Sequence, residues 1–121
     1  MRHPLKLLFI CSQNRMRSPT AERMLQGVSG YAVKSAGIDP SSRTQVNKEL
    51  IAWADLIFVM ERKHVIILEE YFPKAIKRKQ IICLHIPDEY SYMEPELIYK
   101  LRTALAQHLE LPNQDSTGSK P

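Results

Sequence analysis

Apolar residues occur along this chain both as short continuous runs and as helical stripes, and the two alternate. Residues 5–10 form an almost unbroken apolar run that stops at Cys11, the pattern of a strand covered on both faces. Ser18-Pro19 then reads as a helix start, with serine as N-cap and proline at the first helical position, where no amide hydrogen is missed. Ala21, Met24, Leu25 and Val28 follow at i, i+3, i+4 and i+7, and the stripe ends near Ser29-Gly30. Residues 31–35 predict a short second strand closed by Ala36-Gly37, and Val46, Leu50 and Trp53 share one face of a helix placed after Thr44. Residues 55–60 read as a third buried strand. Val65, Leu68 and Phe72 mark a helix cut off by Pro73, and residues 80–86 a fourth apolar strand broken by Pro87. The clearest helix is 95–110, with Leu97, Ile98, Leu101, Leu105 and Leu109 on one side, and the loop before it contains Asp88, Tyr90 and Tyr92.

Strands alternating with helices predict an α/β fold: a single domain with a four-stranded parallel sheet and helices on both faces. Ligands in such sheets sit beyond the carboxyl ends of the strands, so one crevice can hold Cys11, after the first strand, and Asp88, after the fourth. No internal repeat interrupts the pattern. The expected domain spans residues 1–111, and the polar residues 112–121 are expected to be a disordered tail. A length of 121 residues suits one core, and 44% hydrophobic against 25% charged residues excludes a disordered chain.

No apolar run approaches the roughly 20 residues of a membrane span. The start, Met1-Arg2-His3-Pro4, lacks a signal peptide's apolar stretch and cleavage site, so the expected location is the cytoplasm, with no membrane partner. Cys11 and Cys83 are expected to be thiols in that reducing compartment. A net charge of +4 fits a phosphate-bearing partner without requiring one. The basic run Lys74, Lys77, Arg78, Lys79 reads as a solvated turn, which leaves nucleic acid a possible partner but not the favoured one.

Chemistry concentrates in Cys11-Ser12-Gln13-Asn14-Arg15-Met16-Arg17-Ser18. A loop of this length between a strand and a helix N-terminus can curl its backbone N–H groups into a nest for an anion, with phosphate the obvious guest. The same donors and the helix dipole favour a thiolate at Cys11, so a nucleophile and an anion site coincide. Arg17, at the far lip, offers a planar fork for two phosphate oxygens and for the charge of the transition state. Asn14 suits the left-handed backbone position that a tight curl needs. The expected phosphate-binding stretch is therefore Ser12, Gln13, Asn14, Arg15, Met16, Arg17 and Ser18.

Cys-x5-Arg-Ser followed by Pro19-Thr20-Ala21-Glu22 resembles the signature of the low-molecular-weight protein tyrosine phosphatase family, and Ser35-Ala36-Gly37 and residues 54–60 resemble two further segments of it. The resemblance covers roughly residues 5–110 and implies a flavodoxin-like sheet, no cofactor, no metal and a phosphocysteine intermediate on Cys11. It further implies that Ser18 donates to the Cys11 thiolate, that Asn14, Ser18 and Ser35 support the loop, and that Asp88 is the general acid. The expected substrate is a phosphorylated one, phosphotyrosine protein or another phosphomonoester.

The chain also departs from the family's pattern. It reads Pro87-Asp88-Glu89 where members have Asp-Pro, which makes Glu89 a second candidate acid. It is shorter between the second and third strands, and Met16 stands where many members carry a second, protective cysteine. Ser12, Gln13 and Arg15 make the loop's mouth polar, so a more polar or multiply charged phosphoester, with Arg15 meeting a second anionic group and Tyr90 and Tyr92 walling the substrate, is an alternative to phosphotyrosine. Nucleotide or RNA phosphates belong to that alternative. Three further readings compete: a phosphate- or RNA-binding module without turnover, for which Asp88 is superfluous; an arsenate reductase, which needs a second working cysteine that Cys83 supplies poorly; and a phosphocarrier, against which Arg17 argues.

Overall fold

A computed structural model describes residues 3–112. Four strands and four helices strictly alternate: β1 (Leu5–Cys11), α1 (Arg17–Leu25), β2 (Tyr31–Gly37), α2 (Lys48–Trp53), β3 (Leu56–Val59), α3 (Arg62–Tyr71), β4 (Gln80–Cys83) and α4 (Pro95–Leu105). The strands form one parallel sheet in the order β2-β1-β3-β4, with Cys11 level with Gly37 and Val59 level with Cys83. Successive side chains of a strand point to opposite faces, and each face here has its own core. Leu7, Phe9, Phe58 and Met60 pack with Ala21 and Leu25 of α1 and with Leu97, Leu101 and Leu105 of α4. Leu8, Ile10, Ile57 and Val59 pack on the other side with Ile51 of α2 and Leu68 of α3. Burial on both faces is why residues 7–10 and 57–59 are apolar without alternation, while Lys6 stands near the less buried start of β1. Among the described residues no helix is long and apolar enough to cross a membrane.

Several element boundaries differ from the sequence reading. Arg17 and Ser18 are already helical and Met16 flanks α1 without a side-chain cap, so Ser18 is not the N-cap; its hydroxyl is turned inward to the sheet's end. The second helix starts at Lys48, capped by Asn47, whose side chain accepts from Leu50 N–H. β4 ends at Cys83 because His85 takes a left-handed φ of 58°, although Leu84 and Ile86 still donate to Val59 and Met60. α4 ends at Leu105, with Leu109 kept in the core by a following turn. Residues 113–121 of the expected tail lie outside the described residues.

Candidate active site

The β1–α1 connection curls at the carboxyl end of the sheet's centre. Its carbonyls are engaged on the outer side: Cys11 O accepts from Ile38 N, Ser12 O from Asp39 N and Ser42 Oγ, Gln13 O from Arg43 N, and Asn14 O from Arg43 Nε. In a planar trans peptide the N–H points opposite to the C=O, so this outward bonding turns amide donors toward the hollow of the loop. Asn14 makes the curl with φ of 56°. Gly37 allows the β2 end to sit against it, because a Cβ there would lie 2.9 Å from Asn14 N and would clash with Ser42 Oγ.

A buried polar chain supports the loop from beneath. Asn14 Nδ2 donates to Ser18 Oγ and to Ser35 Oγ, both at 2.9 Å, and Ser35 donates to Glu22. With both amide hydrogens of Asn14 committed, the Ser18 hydroxyl hydrogen has two destinations, Cys11 Sγ at 3.0 Å and Ala36 O at 3.3 Å. A thiolate at Cys11 takes it, since hydrogen bonds to a charged acceptor are the stronger ones. Asn14, Ser18 and Ser35 are thus brought together under Cys11, with Glu22, which the sequence placed only within a motif.

Arg17 lies beneath the loop, 1% exposed, and not at an open lip. Its Nη1 donates to Glu61 Oε2 and to Ile86 O, both at 2.8 Å, while Nη2 is 3.4 Å from Ser12 Oγ and Nε 3.8 Å from Asp88 Oδ1. One corner of the guanidinium is anchored, and the Nε–Nη2 edge is left toward the cleft. Glu61, at the carboxyl end of β3, is one of two site residues that the sequence reading missed. Partial burial works against its charge, but Lys63 and Arg17 outweigh it and hold the carboxyl below the ordinary range.

His64, buried in the first turn of α3, is the other. Its Nδ1 accepts from Glu61 N–H, so the ring hydrogen sits on Nε2, 3.1 Å from Ser12 Oγ. Ser12 Oγ thus accepts from His64 and Arg17 and keeps its own hydrogen for a bound anion. Burial, with the Arg17 charge, lowers the His64 pKa from 6.5 to about 4. The unfolded chain therefore binds a proton that the folded one refuses between those values, and stability falls as pH drops from about 6.5 toward about 4. Thermal unfolding followed at about pH 7 and about pH 4.5 should show a larger loss of midpoint for the natural chain than for His64→Gln, which does not titrate; equal losses would mean that His64 is not held neutral.

A cleft of about 40 Å³ is lined by Cys11, Ser12, Gln13, Arg15, Met16, Arg17 and Asp88. Asp88 thereby meets the loop as its position after the fourth strand implied, while Glu89 is exposed and does not line the cleft. The two tyrosines do not line it either: Tyr90 packs against the α1–α4 core, and Tyr92 lines an adjoining groove together with Arg15. Cys83 is half-buried against the opposite face of the sheet from Cys11 and is a free thiol, as Cys11 is, which leaves no sulfur partner positioned for a reductase.

No family model matches the chain. It is 31% identical over 96 residues to the protein-arginine-phosphatase of Geobacillus stearothermophilus, a match covering 60% of this chain and 65% of that protein, which is slightly under two thirds of the relative's length. Among solved structures, the YwlE arginine phosphatase from Geobacillus stearothermophilus superposes with a TM-score of 0.65 at 24% identity, over 90% of this chain and all of that one. The tyrosine phosphatase Wzb from Escherichia coli K30, in complex with phosphate, gives 0.69 at 23% identity over 87% of this chain and 96% of the other.

Proposed function

We propose that this chain, on its fold and its Cys11–Ser18 loop, is a member of the low-molecular-weight protein tyrosine phosphatase family and a cysteine-dependent protein phosphatase that acts on phosphotyrosine in the cytoplasm. The observation that carries this reading is the convergence of Cys11, the free edge of Arg17 and Asp88 on one cleft, with the Ser18 hydroxyl 3.0 Å from Cys11 Sγ. The Cys11 thiolate attacks phosphorus, the loop amides and the Nε–Nη2 edge of Arg17 hold the equatorial oxygens, and Asp88 gives its proton to the departing phenolic oxygen. The resulting phosphocysteine is hydrolysed when Asp88, now a carboxylate, takes a proton from water as the oxygen attacks phosphorus, which frees phosphate and the thiolate.

A second reading is favoured by the arginine phosphatases among the similar proteins: phosphoarginine as the substrate side chain. Arg15 supports the first reading on physical grounds. Its guanidinium at the cleft can lie over a phenyl ring, a favourable cation–π arrangement, but it repels the cationic guanidinium of phosphoarginine. A phosphotyrosine peptide should therefore turn over faster than the matched phosphoarginine peptide. Asp88→Asn should lower kcat on the phosphotyrosine peptide by about 100-fold, the usual worth of a general acid, and Glu89→Gln should leave it nearly unchanged. The opposite ranking would transfer the acid role to Glu89, and tight phosphate binding with no turnover by the natural chain would leave a binding module.

A further inference from the structure

Three hollows meet around the nucleophile loop. The cleft over Cys11 shares Arg15 with a groove that also exposes Arg23, Arg43 and Tyr92. Through Ser12 it adjoins a second groove, lined by Ile38, Val46, Ile67, Tyr71 and Phe72. In the first groove three arginines face one carboxylate, Glu22, and that carboxylate already accepts from Ser35. Arg43 is held in place because its Nε donates to Asn14 O, which leaves its terminal N–H groups for a ligand. The second groove is mainly apolar, and its charged members, Asp39 and Lys63, are of opposite sign. The site thus has a cationic flank and an apolar flank, each joined to the phosphate position by one residue of the loop itself.

We infer that the substrate is an extended phosphoprotein segment with acidic residues on one side of the phosphorylated residue and a large apolar residue on the other. This deepens the phosphatase reading and rests on it for the position of the phosphate. An extended peptide advances about 3.3 Å per residue, so grooves adjoining the cleft are reached by the nearest few positions on either side. The arginine flank alone would also suit a nucleic acid strand. The apolar flank argues against one, because a phosphodiester backbone crossing it would lay charge along Ile38, Val46, Ile67 and Phe72 and meet Asp39. A protein segment satisfies both flanks: aspartates or glutamates pair with Arg15, Arg23 and Arg43, and an apolar side chain covers the second groove.

The test measures binding to the full chain carrying Cys11→Ser, by fluorescence anisotropy with labelled phosphotyrosine peptides. The set has aspartates on one side and leucine on the other, in both chain directions, with alanine and lysine controls. The preferred acidic–apolar peptide should gain about fivefold from its aspartates over alanine and about tenfold from its leucine. Arg23→Glu should erase the first gain and keep the second; Ile67→Ala should erase the second and keep the first. That double dissociation separates loss of a groove from general unfolding, which would remove both. Equal binding of all peptides would overturn the inference, as would tighter binding of a 3′-phosphorylated oligonucleotide. Hydrolysis of para-nitrophenyl phosphate by the natural chain reports separately on the phosphatase reading. Turnover without flank preference defeats the inference alone, and flank preference without turnover defeats catalysis while this recognition stands.

Discussion

Replacing Cys11 with serine is expected to lower turnover of a phosphotyrosine peptide by at least about 10⁴-fold while phosphate still binds, because the change removes the nucleophile and little else. The side chain sits at the end of β1, 2% exposed, and serine is nearly isosteric there. What serine cannot do is present an anion to phosphorus. The polar chain beneath the loop is built to donate: Asn14 gives both amide hydrogens to Ser18 and Ser35, Ser35 gives its own to Glu22, and Ser18 is left with one for the nucleophile. Glu22, the one carboxylate among these groups, is bonded to Ser35 and not to residue 11, whose own partner is the Ser18 hydroxyl, which is no base for a serine proton. Sulfur, by contrast, is an effective nucleophile toward phosphorus without a neighbouring base. Rapid-quench kinetics should show a burst of released phenol in the natural chain and none in Cys11→Ser, while calorimetric titration with inorganic phosphate should find binding in both. Substantial turnover by Cys11→Ser would rule out nucleophilic catalysis by this residue.

The fold was legible wherever burial leaves a mark on sequence. Residues 5–10 and 56–59 lie in the two central strands, and coverage on both faces is what makes them apolar at every position but Lys6, which lies near the less buried start of β1. Boundaries were less legible because local chemistry was assigned to the wrong task. Ser18 before Pro19 looked like a cap, yet its hydroxyl is consumed by Cys11 and Asn14, a demand made by residues that the helix signal does not contain. Tyr90 illustrates the same limit: aromatic residues in a loop suit a substrate wall or a core equally, and here it packs against the core on the Phe9 and Phe58 side of the sheet. Within the site, Cys11, Arg17 and Ser18 could be read because one short loop carries them at fixed spacing. Glu61 and His64 could not, since the partner each serves is 44 and 52 residues away. A signal did exist. Both follow β3 at its carboxyl end, the side of the sheet where a ligand is expected, and a carboxylate and an imidazole three residues apart there merit the scrutiny given to Asp88.

Arg17→Lys is expected to cost about 10³-fold in kcat, and Glu61→Gln about tenfold, because the second residue acts through the first. Arg17 has four partners on its three nitrogens: Nη1 is fixed by Glu61 and Ile86 O, and the Nη2–Nε edge reaches toward Ser12 and Asp88 across the phosphate position. Lysine has a single ammonium and cannot be anchored at one corner while offering two donors at the other. Glutamine at 61 still accepts a hydrogen bond from Nη1 but loses the charge that holds the guanidinium against its burial, so the edge is presented less faithfully to the transition state. The diagnostic is non-additivity. If Glu61 only positions Arg17, Glu61→Gln should change kcat strongly in the natural background and barely at all when combined with Arg17→Lys, and it should leave the pH dependence of kcat unmoved. Additive losses, or a shifted pH–rate profile, would instead give Glu61 a role of its own in the chemistry.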